Sequence, residues 1–471
     1  HKKKKFDKEE LLAFAKELGL EIGEKDLEKK VPYIRFEESS EEYRYVKERR
    51  EALEGWLPDR KVLADKLKQP GAGVFKSFKE GSGDKEVTTT SAFVQLLSKL
   101  IVDKKSGDAI VPIIPDESRT FGMDALFSKA GIYAPKGQQY EPVDKGSLLY
   151  YNEEKEGIII EEGITEAGSL STFVAAGTHH IVHDRYMVPF FIFYSMFGFQ
   201  RVGDLIWAAG DARTKGFLIG GISGRTSLSG EGLQHTDGQS HLYALAYPNV
   251  KAYDPAFAYE MAVIIQQGMK EMYGEDRDHI YYITLTNQAY AMPALPKSVS
   301  EKDVMSGIYA FRKSKKRKNK DKTVNLMGSG AIMSEVLKAA EVLEDEHEIP
   351  VNIWSVTSYK TLYDNAIEAD RKSIGKNKKT ENHLQKTLKD QGEFFIAASD
   401  YVNALPMSIA RWIPGQFITL GTDGFGRSDT IPAMRKHFGV DADHIVQSAL
   451  KAVGKSNHNG RKNSKTRKRK K

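Results

Sequence analysis

The chain has 471 residues, 40% hydrophobic and 28% charged, proportions of an ordinary soluble globular protein of about three domains. It contains no cysteine, which excludes disulfides, thiolate metal centres and redox-thiol chemistry. Much of the excess behind its net charge of +6 lies in three runs, Lys2–Lys5, Arg312–Lys322 and Arg461–Lys471; such blocks read as solvated tails and loops, and without aromatic residues to stack on bases they do not predict nucleic-acid binding.

The opening HKKKKFDKEE lacks the apolar core of a secretory signal. The most apolar stretch, Met187–Phe199, is too short for a membrane span of ~20 residues. Residues 1–84 read as a helical linker arm. Leu11, Leu12, Phe14, Ala15 and Leu18 recur at helical spacing within Glu9–Leu20, a second helix is expected over Ser40–Leu53, and polar, Gly-rich sequence follows from Gln69 to Asp84. Alone, this arm has little to bury its apolar face against.

From 85 to 310 the pattern changes to strands alternating with helices. Thr88–Thr90 can cap a helix whose face is Phe93, Leu96, Leu97 and Leu100. Strands are expected at Ala109–Ile114, Gly157–Ile160, Pro189–Tyr194, Phe217–Gly220, Val250–Tyr253 and Tyr281–Thr286. Helices are expected between most of them, including Gln200–Ala212 and Pro255–Met272. The alternation predicts an α/β domain with a mainly parallel sheet covered on both faces. Residues 311–322 form a basic linker. A second, smaller α/β domain is expected over 323–453, with strands at Val324–Met327, Val351–Val356, Phe394–Ala398 and Phe417–Leu420. Its helices are expected at Ile332–Glu344, Val402–Trp412, Ile431–His437 and Asp443–Ala452. Residues 454–471 read as a basic disordered tail.

Ligands in parallel sheets bind outside the carboxyl ends of the strands. Two carboxylate-bearing turns fall at that edge, Pro115–Glu117 and Glu161–Glu166. Glu166 stands between Gly163 and Gly168 where a strand turns into a helix, and the aromatic run Phe190–Phe199 follows. A carboxylate beside an aromatic wall suits a flat, nitrogen-containing ring. On spacing alone, a helix-opening glutamate and core aromatics account for the same residues. Arg201 can pair with Asp116 in a bidentate contact, as part of a site or as a plain structural ion pair. His235, Asp237 and His241 lie at loose metal-ligand spacing that matches no known cage, and His179, His180, His183 and Asp184 read as a polar surface loop. The run GTDGFG from Gly421 lacks the Lys-Ser/Thr of a phosphate-binding loop and reads as a tight turn.

Four long phrases carry more information than these spacings: PDESRTFGMDALFSKAGIY from Pro115, FYSMFGFQRVGDLIWAAGD from Phe193, GFLIGGISGRTSLSGEGLQH from Gly216 and GTDGFGRSD from Gly421. With most of Val87–Leu450, they resemble the thiamine-diphosphate-dependent pyruvate dehydrogenase component of the bacterial homodimeric type. The resemblance implies a transketolase-like fold, with a pyrimidine-binding domain and a C-terminal domain. It implies the cofactor thiamine diphosphate with Mg2+. No Gly-Asp-Gly motif occurs here, so the magnesium and diphosphate ligands are expected in an N-terminal domain, and the chain reads as a C-terminal half that is inactive without it. By resemblance Glu166 is the glutamate that hydrogen-bonds the cofactor's pyrimidine ring. Tyr194 and Phe197 flank that ring, Asp116, Glu117 and Arg201 belong to the pocket, and His235 faces the substrate. Lys136–Asn152 corresponds to a loop at the site's mouth that orders around a bound species. No metal ligand is assigned to this chain.

The implied reaction is decarboxylation of pyruvate and reductive acetylation of a lipoyl group on the dihydrolipoyl transacetylase. The implied setting is a cytoplasmic multienzyme complex, with a homodimer or pairing with an N-terminal-half chain. A non-catalytic structural or regulatory fragment and a related thiamine enzyme such as transketolase are the alternatives.

Overall fold

The computed structural model describes residues 7–27, 33–56, 62–115, 118, 121–141, 151–314, 320–376 and 380–454. The chain forms two compact units, His1–Val62 and Leu63–Lys471. The first holds helices α1 (Lys8–Glu17) and α2 (Glu41–Ala52). Asp7 and Ser40 accept hydrogen bonds from Glu9 N and Tyr43 N, satisfying one free amide at each helix start. Of the two helices only Ala15 is buried; Phe14 and Leu18 lie exposed, as the isolated amphipathic pattern implies. The expected arm is divided by this boundary. Val74, Phe75 and Phe78 are buried in the second unit, and Leu67 N donates to Tyr273 O there.

The second unit contains two α/β layers. After helix α3 (Thr89–Ile101), capped by Thr88, come β1 (Ile110–Ile114), β2 (Ile160–Glu161), α4 (Glu166–Gly177), β3 (Val188–Tyr194) and α5 (Phe199–Asp211). They are followed by β4 (Gly216–Gly221), β5 (Val250–Tyr253), α6 (Ala258–Met269) and β6 (Ile280–Thr284). The six strands form one parallel sheet in the order β2-β1-β3-β4-β6-β5. Successive residues of β3 serve opposite faces. Phe190 stacks on Phe217 and meets Phe93 of α3, whereas Phe191 and Phe193 pack with Leu170 and Phe173 of α4 and Ile206 of α5. This is why the strand reads as an unbroken apolar run.

The second layer contains β7 (Tyr309–Arg312), β8 (Val324–Gly328), α7 (Met333–Asp345), β9 (Val351–Ser355) and α8 (Tyr359–Ser373). It continues with β10 (Phe394–Ala398), β11 (Gln416–Leu420), α9 (Ile431–Phe438) and α10 (Ala442–Ala452). Its strand order is β7-β9-β8-β10-β11, with β7 antiparallel and the others parallel.

Four expectations differ. The basic linker expected at 311–322 begins inside β7, Tyr309–Arg312, which pairs with β9 of the second layer. The strand at Gly157–Ile160 is only Ile160–Glu161, paired to Ile113 and Ile114. The helix over Val402–Trp412 is a short helix, Ala404–Met407, and a 3-10 turn, Ala410–Trp412; Pro406 sits in its middle and has no amide to continue the ladder. The helix begun at Pro255 starts at Ala258, after an extended Phe257.

Buried polar groups close the seam between the two layers. Glu260 of α6 accepts from Ala256 N at 2.6 Å, Phe257 N at 3.1 Å, Tyr309 OH at 2.5 Å and Ser355 Oγ at 2.6 Å. Asp400 accepts from Thr226 N at 3.1 Å, Thr226 Oγ1 at 2.7 Å and Ser227 Oγ at 2.8 Å. Arg225 donates through Nη1 to the carbonyls of Thr422 and Gly424, so the GTDGFG turn presents acceptors to a guanidinium.

Candidate functional site

The site is built where β2 and β3 end. Thr165 caps α4 by accepting from Gly168 N at 3.3 Å, which places Glu166 as the first helical residue, where the helix dipole favours an anion. Glu166 is 5% exposed. Its Oε2 accepts from Arg201 Nη1 at 2.9 Å. Arg201 comes from the first turn of α5, which breaks from helical geometry at Val202. Gly198 permits this helix start to lie against β3, since a Cβ there would meet the Phe193 ring at 2.5 Å.

Aromatic rings surround the ion pair. The Arg201 guanidinium lies 4.1 Å from the Phe197 centroid, a cation–π contact. Tyr194, at the end of β3, is 5.9 Å from Phe197 and 5.2 Å from Phe121 by ring centroids. His235 sits 4.7 Å from Tyr194 and 5.8 Å from Phe197. Its Nδ1 is buried with no hydrogen-bond partner among the described residues, and the carboxylate of Glu231 stands 3.6 Å away.

Glu166, Tyr194, Phe197, Arg201 and His235 therefore gather in one place. Asp116 and Glu117 lie outside the described residues, as do residues 142–150 of the expected mouth loop. The flanks of that loop are pinned, with Tyr140 OH and Tyr151 OH both donating to Glu153 Oε1. The guanidinium expected beside Asp116 is seen on Glu166. Phe121 and Gln200 were not singled out from sequence, although Phe121 lies in the phrase beginning at Pro115 and Gln200 adjoins Arg201.

The loose set His235, Asp237 and His241 does not converge. His241 is buried, with Nε2 2.8 Å from Thr284 Oγ1, and that hydroxyl donates to Asp254 Oδ1 at 2.7 Å. Burial pushes the His241 imidazole down to about 3 and the Asp254 carboxyl up to about 7.

The polar surface loop expected at His179–Asp184 needs correction. His180 is 1% exposed and stacks on Tyr186, and burial holds its imidazole down to about 4. With Asp276 and Asp278 it offers donor atoms within 4.8 Å of one another. Lys215, fully buried, already fills the place of a cation: its Nζ contacts Asp276 Oδ1 and lies 3.3 Å from Asp278 Oδ1. This group sits where β4 and β6 begin, at the sheet edge opposite Glu166.

The donor set beside Glu166 fits a flat heteroaromatic ring. It offers aromatic faces, a buried carboxylate edge and a histidine whose Nδ1 has no described partner. Among the described residues no helix is long and apolar enough to cross a membrane.

Comparison with known proteins adds a second line. Residues 68–293 match the family model of the pyruvate dehydrogenase E1 component middle domain, and residues 307–441 that of the transketolase-like C-terminal domain. The pyruvate dehydrogenase E1 component of Pseudomonas aeruginosa is 45% identical over 456 residues, 96% of this chain and 51% of that protein. That of Escherichia coli K12 is 41% identical over 460 residues, 97% of this chain and 51% of that protein. The chain spans about half the length of the curated relatives it matches. Among solved structures, Campylobacter jejuni transketolase superposes with a TM-score of 0.58 at 18% identity, covering 80% of this chain and 49% of that one. A split-gene transketolase, described as an inactive beta4 tetramer, superposes at 0.50 with 15% identity, covering 78% of this chain and 98% of that one. These likenesses establish the transketolase-like fold.

Proposed function

Because the chain belongs to the pyruvate dehydrogenase E1 family, we propose that it supplies the pyrimidine-binding side of a thiamine-diphosphate site that decarboxylates pyruvate and passes the acetyl group to a lipoyl carrier. The observation that carries this reading is the buried Glu166 carboxylate, ion-paired to Arg201 beside Phe197, Tyr194 and His235. When bound, the cofactor supplies the electron sink for decarboxylation.

In this reading the chain's own residues bind and orient. Phe197 and Tyr194 offer faces for a planar ring. Glu166 presents a carboxyl group at the ring's edge, where it can hold or release a proton at a ring nitrogen. Arg201 fixes the orientation of that carboxyl group by a charge-assisted bond. His235, with Nδ1 shielded from water, can hydrogen-bond the substrate carboxylate or a developing oxyanion. Asp116 and Glu117 remain members of the pocket by the same proposal. Mg2+ and the diphosphate are assigned to a domain that the other half of the relatives' length would provide, and the complete site to a dimer or to a pair of half-chains in the cytoplasm.

The test is complementation. This chain, mixed with the diphosphate-binding half of a family member, thiamine diphosphate and Mg2+, is expected to turn over pyruvate, whereas neither half does so alone. A stoichiometric complex with no turnover would instead support the second reading, a non-catalytic fragment. What favours that alternative is that the chain spans only about half the length of its curated relatives.

A further inference from the structure

The His235 loop and the α5 turn bearing Arg201 come from separate parts of the chain, yet one buried side chain joins them. Asp237 is fully buried. Its Oδ1 accepts from Gln200 Nε2 at 3.0 Å, Gln239 N at 3.0 Å and Ser240 N at 3.0 Å, and its Oδ2 accepts from Ser240 Oγ. Ser240 Oγ in turn accepts from Tyr282 OH at 2.8 Å, tying the group to β6. Gln200 immediately precedes Arg201, and Asp237 lies two residues beyond His235, with its own amide on the His235 carbonyl at 3.2 Å. From below, Arg225 packs so closely under Gly238 that a Cβ there would meet its guanidinium at 2.5 Å. The loop is therefore held at three points, and among the described residues Asp237 supplies the side-chain hydrogen bond from it to the helix turn that orients Glu166.

We propose that Asp237 is a positioning residue: it fixes the His235 imidazole relative to the Glu166–Arg201 pair by bonding both the loop and the first turn of α5. This rests on the proposed reading of the site. A buried carboxylate with four donors has little freedom, and cutting it out leaves two backbone amides and the Gln200 amide unsatisfied. The imidazole is then free to shift, and a misplacement of about 1 Å can cost about 10²-fold in rate.

The experiment measures pyruvate turnover in the assembled enzyme for Asp237→Ala, Asp237→Asn, His235→Ala and the double variant Asp237→Ala/His235→Ala. Asp237→Ala is expected to lower kcat about 10²-fold with a smaller change in KM. Asp237→Asn keeps an acceptor at the Oδ1 position and is expected to recover most of that loss. In the His235→Ala background, Asp237→Ala is expected to cost nothing further, because residues that act as a unit are not additive. On the chain by itself, amide exchange across 233–240 is expected to accelerate in Asp237→Ala and to stay slow in Asp237→Asn. If Asp237→Ala does not fold, Gln200→Met cuts the link to α5 alone and carries the same cycle with His235→Ala. Additive losses, or parent kinetics in Asp237→Ala, would overturn the proposal. If His235→Ala and Glu166→Gln both leave turnover unchanged, the reading of the site fails with it. If both impair turnover while the cycle is additive, the coupling alone is wrong.

Discussion

Glu166→Gln is the sharpest probe of the site. It keeps the side chain's shape and removes its charge, so two consequences separate. The first is stability. The ion pair with Arg201 is 2.9 Å long, with side-chain exposures of 6% for Glu166 and 51% for Arg201. Two unit charges 4 Å apart at an effective dielectric of 20 attract by about 4 kcal/mol, but water screens a half-exposed guanidinium, which brings the net value to about 1 kcal/mol. Glutamine can still accept from Arg201, and the released guanidinium can turn to solvent, so no buried charge is stranded. Urea unfolding of the variant is therefore expected to show a loss of about 1–2 kcal/mol. The second consequence is catalytic. An amide cannot take up or release a proton at a ring nitrogen, and a positioned acid–base group contributes roughly 10² to 10⁴ in rate. In the assembled enzyme, turnover and proton exchange at the thiazolium carbon are expected to fall by that factor at saturating cofactor. A folded variant with parent turnover would refute the assignment and leave Glu166 as a helix-opening carboxylate. A stability loss above about 4 kcal/mol would show that the carboxylate chiefly holds the fold.

Other perturbations test the surrounding structure. Glu260→Ala strands two amides and two hydroxyls that the carboxylate now satisfies, and is expected to cost about 3–5 kcal/mol in urea unfolding. Asp254 has a folded pKa raised by burial to about 7 from 3.8. Its contribution to stability is fully present below about pH 4 and lost as pH rises through about 7. The stability difference between parent and Asp254→Asn should therefore shift against the parent from about pH 4 to about pH 8. The depressed His241 works in the opposite sense, losing its contribution as pH falls through about 3; to first order it is common to both proteins and cancels in the difference. Lys215→Ala removes the ammonium from between Asp276 and Asp278. Thermal unfolding of that variant, but not of the parent, is expected to rise on adding Zn2+, bound by His180, Asp276 and Asp278.

Much of the fold was legible because local chemistry dictates it. The apolar run of β3 serves two covered faces, and Thr88 and Ser40 mark helix starts by their hydroxyls. The site was legible in part because Tyr194, Phe197, Arg201 and His235 lie within the long phrases, and Glu166 stands between Gly163 and Gly168 at a strand–helix turn. What was missed depends on partners distant in sequence. His180 reads as polar surface until Tyr186, Lys215, Asp276 and Asp278 are folded around it. Arg201 reads as a partner of Asp116, and nothing in its spacing favours Glu166, 35 residues away. Asp237 looked like a stray ligand because Gln200 is 37 residues distant.

The seam between the two α/β layers bears on where such a protein can be divided. A cut near residue 300 would expose Glu260, Asp400 and Arg225, each bonded across the seam, and buried polar groups without partners make separate fragments costly to fold. Genetic rearrangement can therefore detach or exchange this pair of layers as a single cassette far more readily than it can split them.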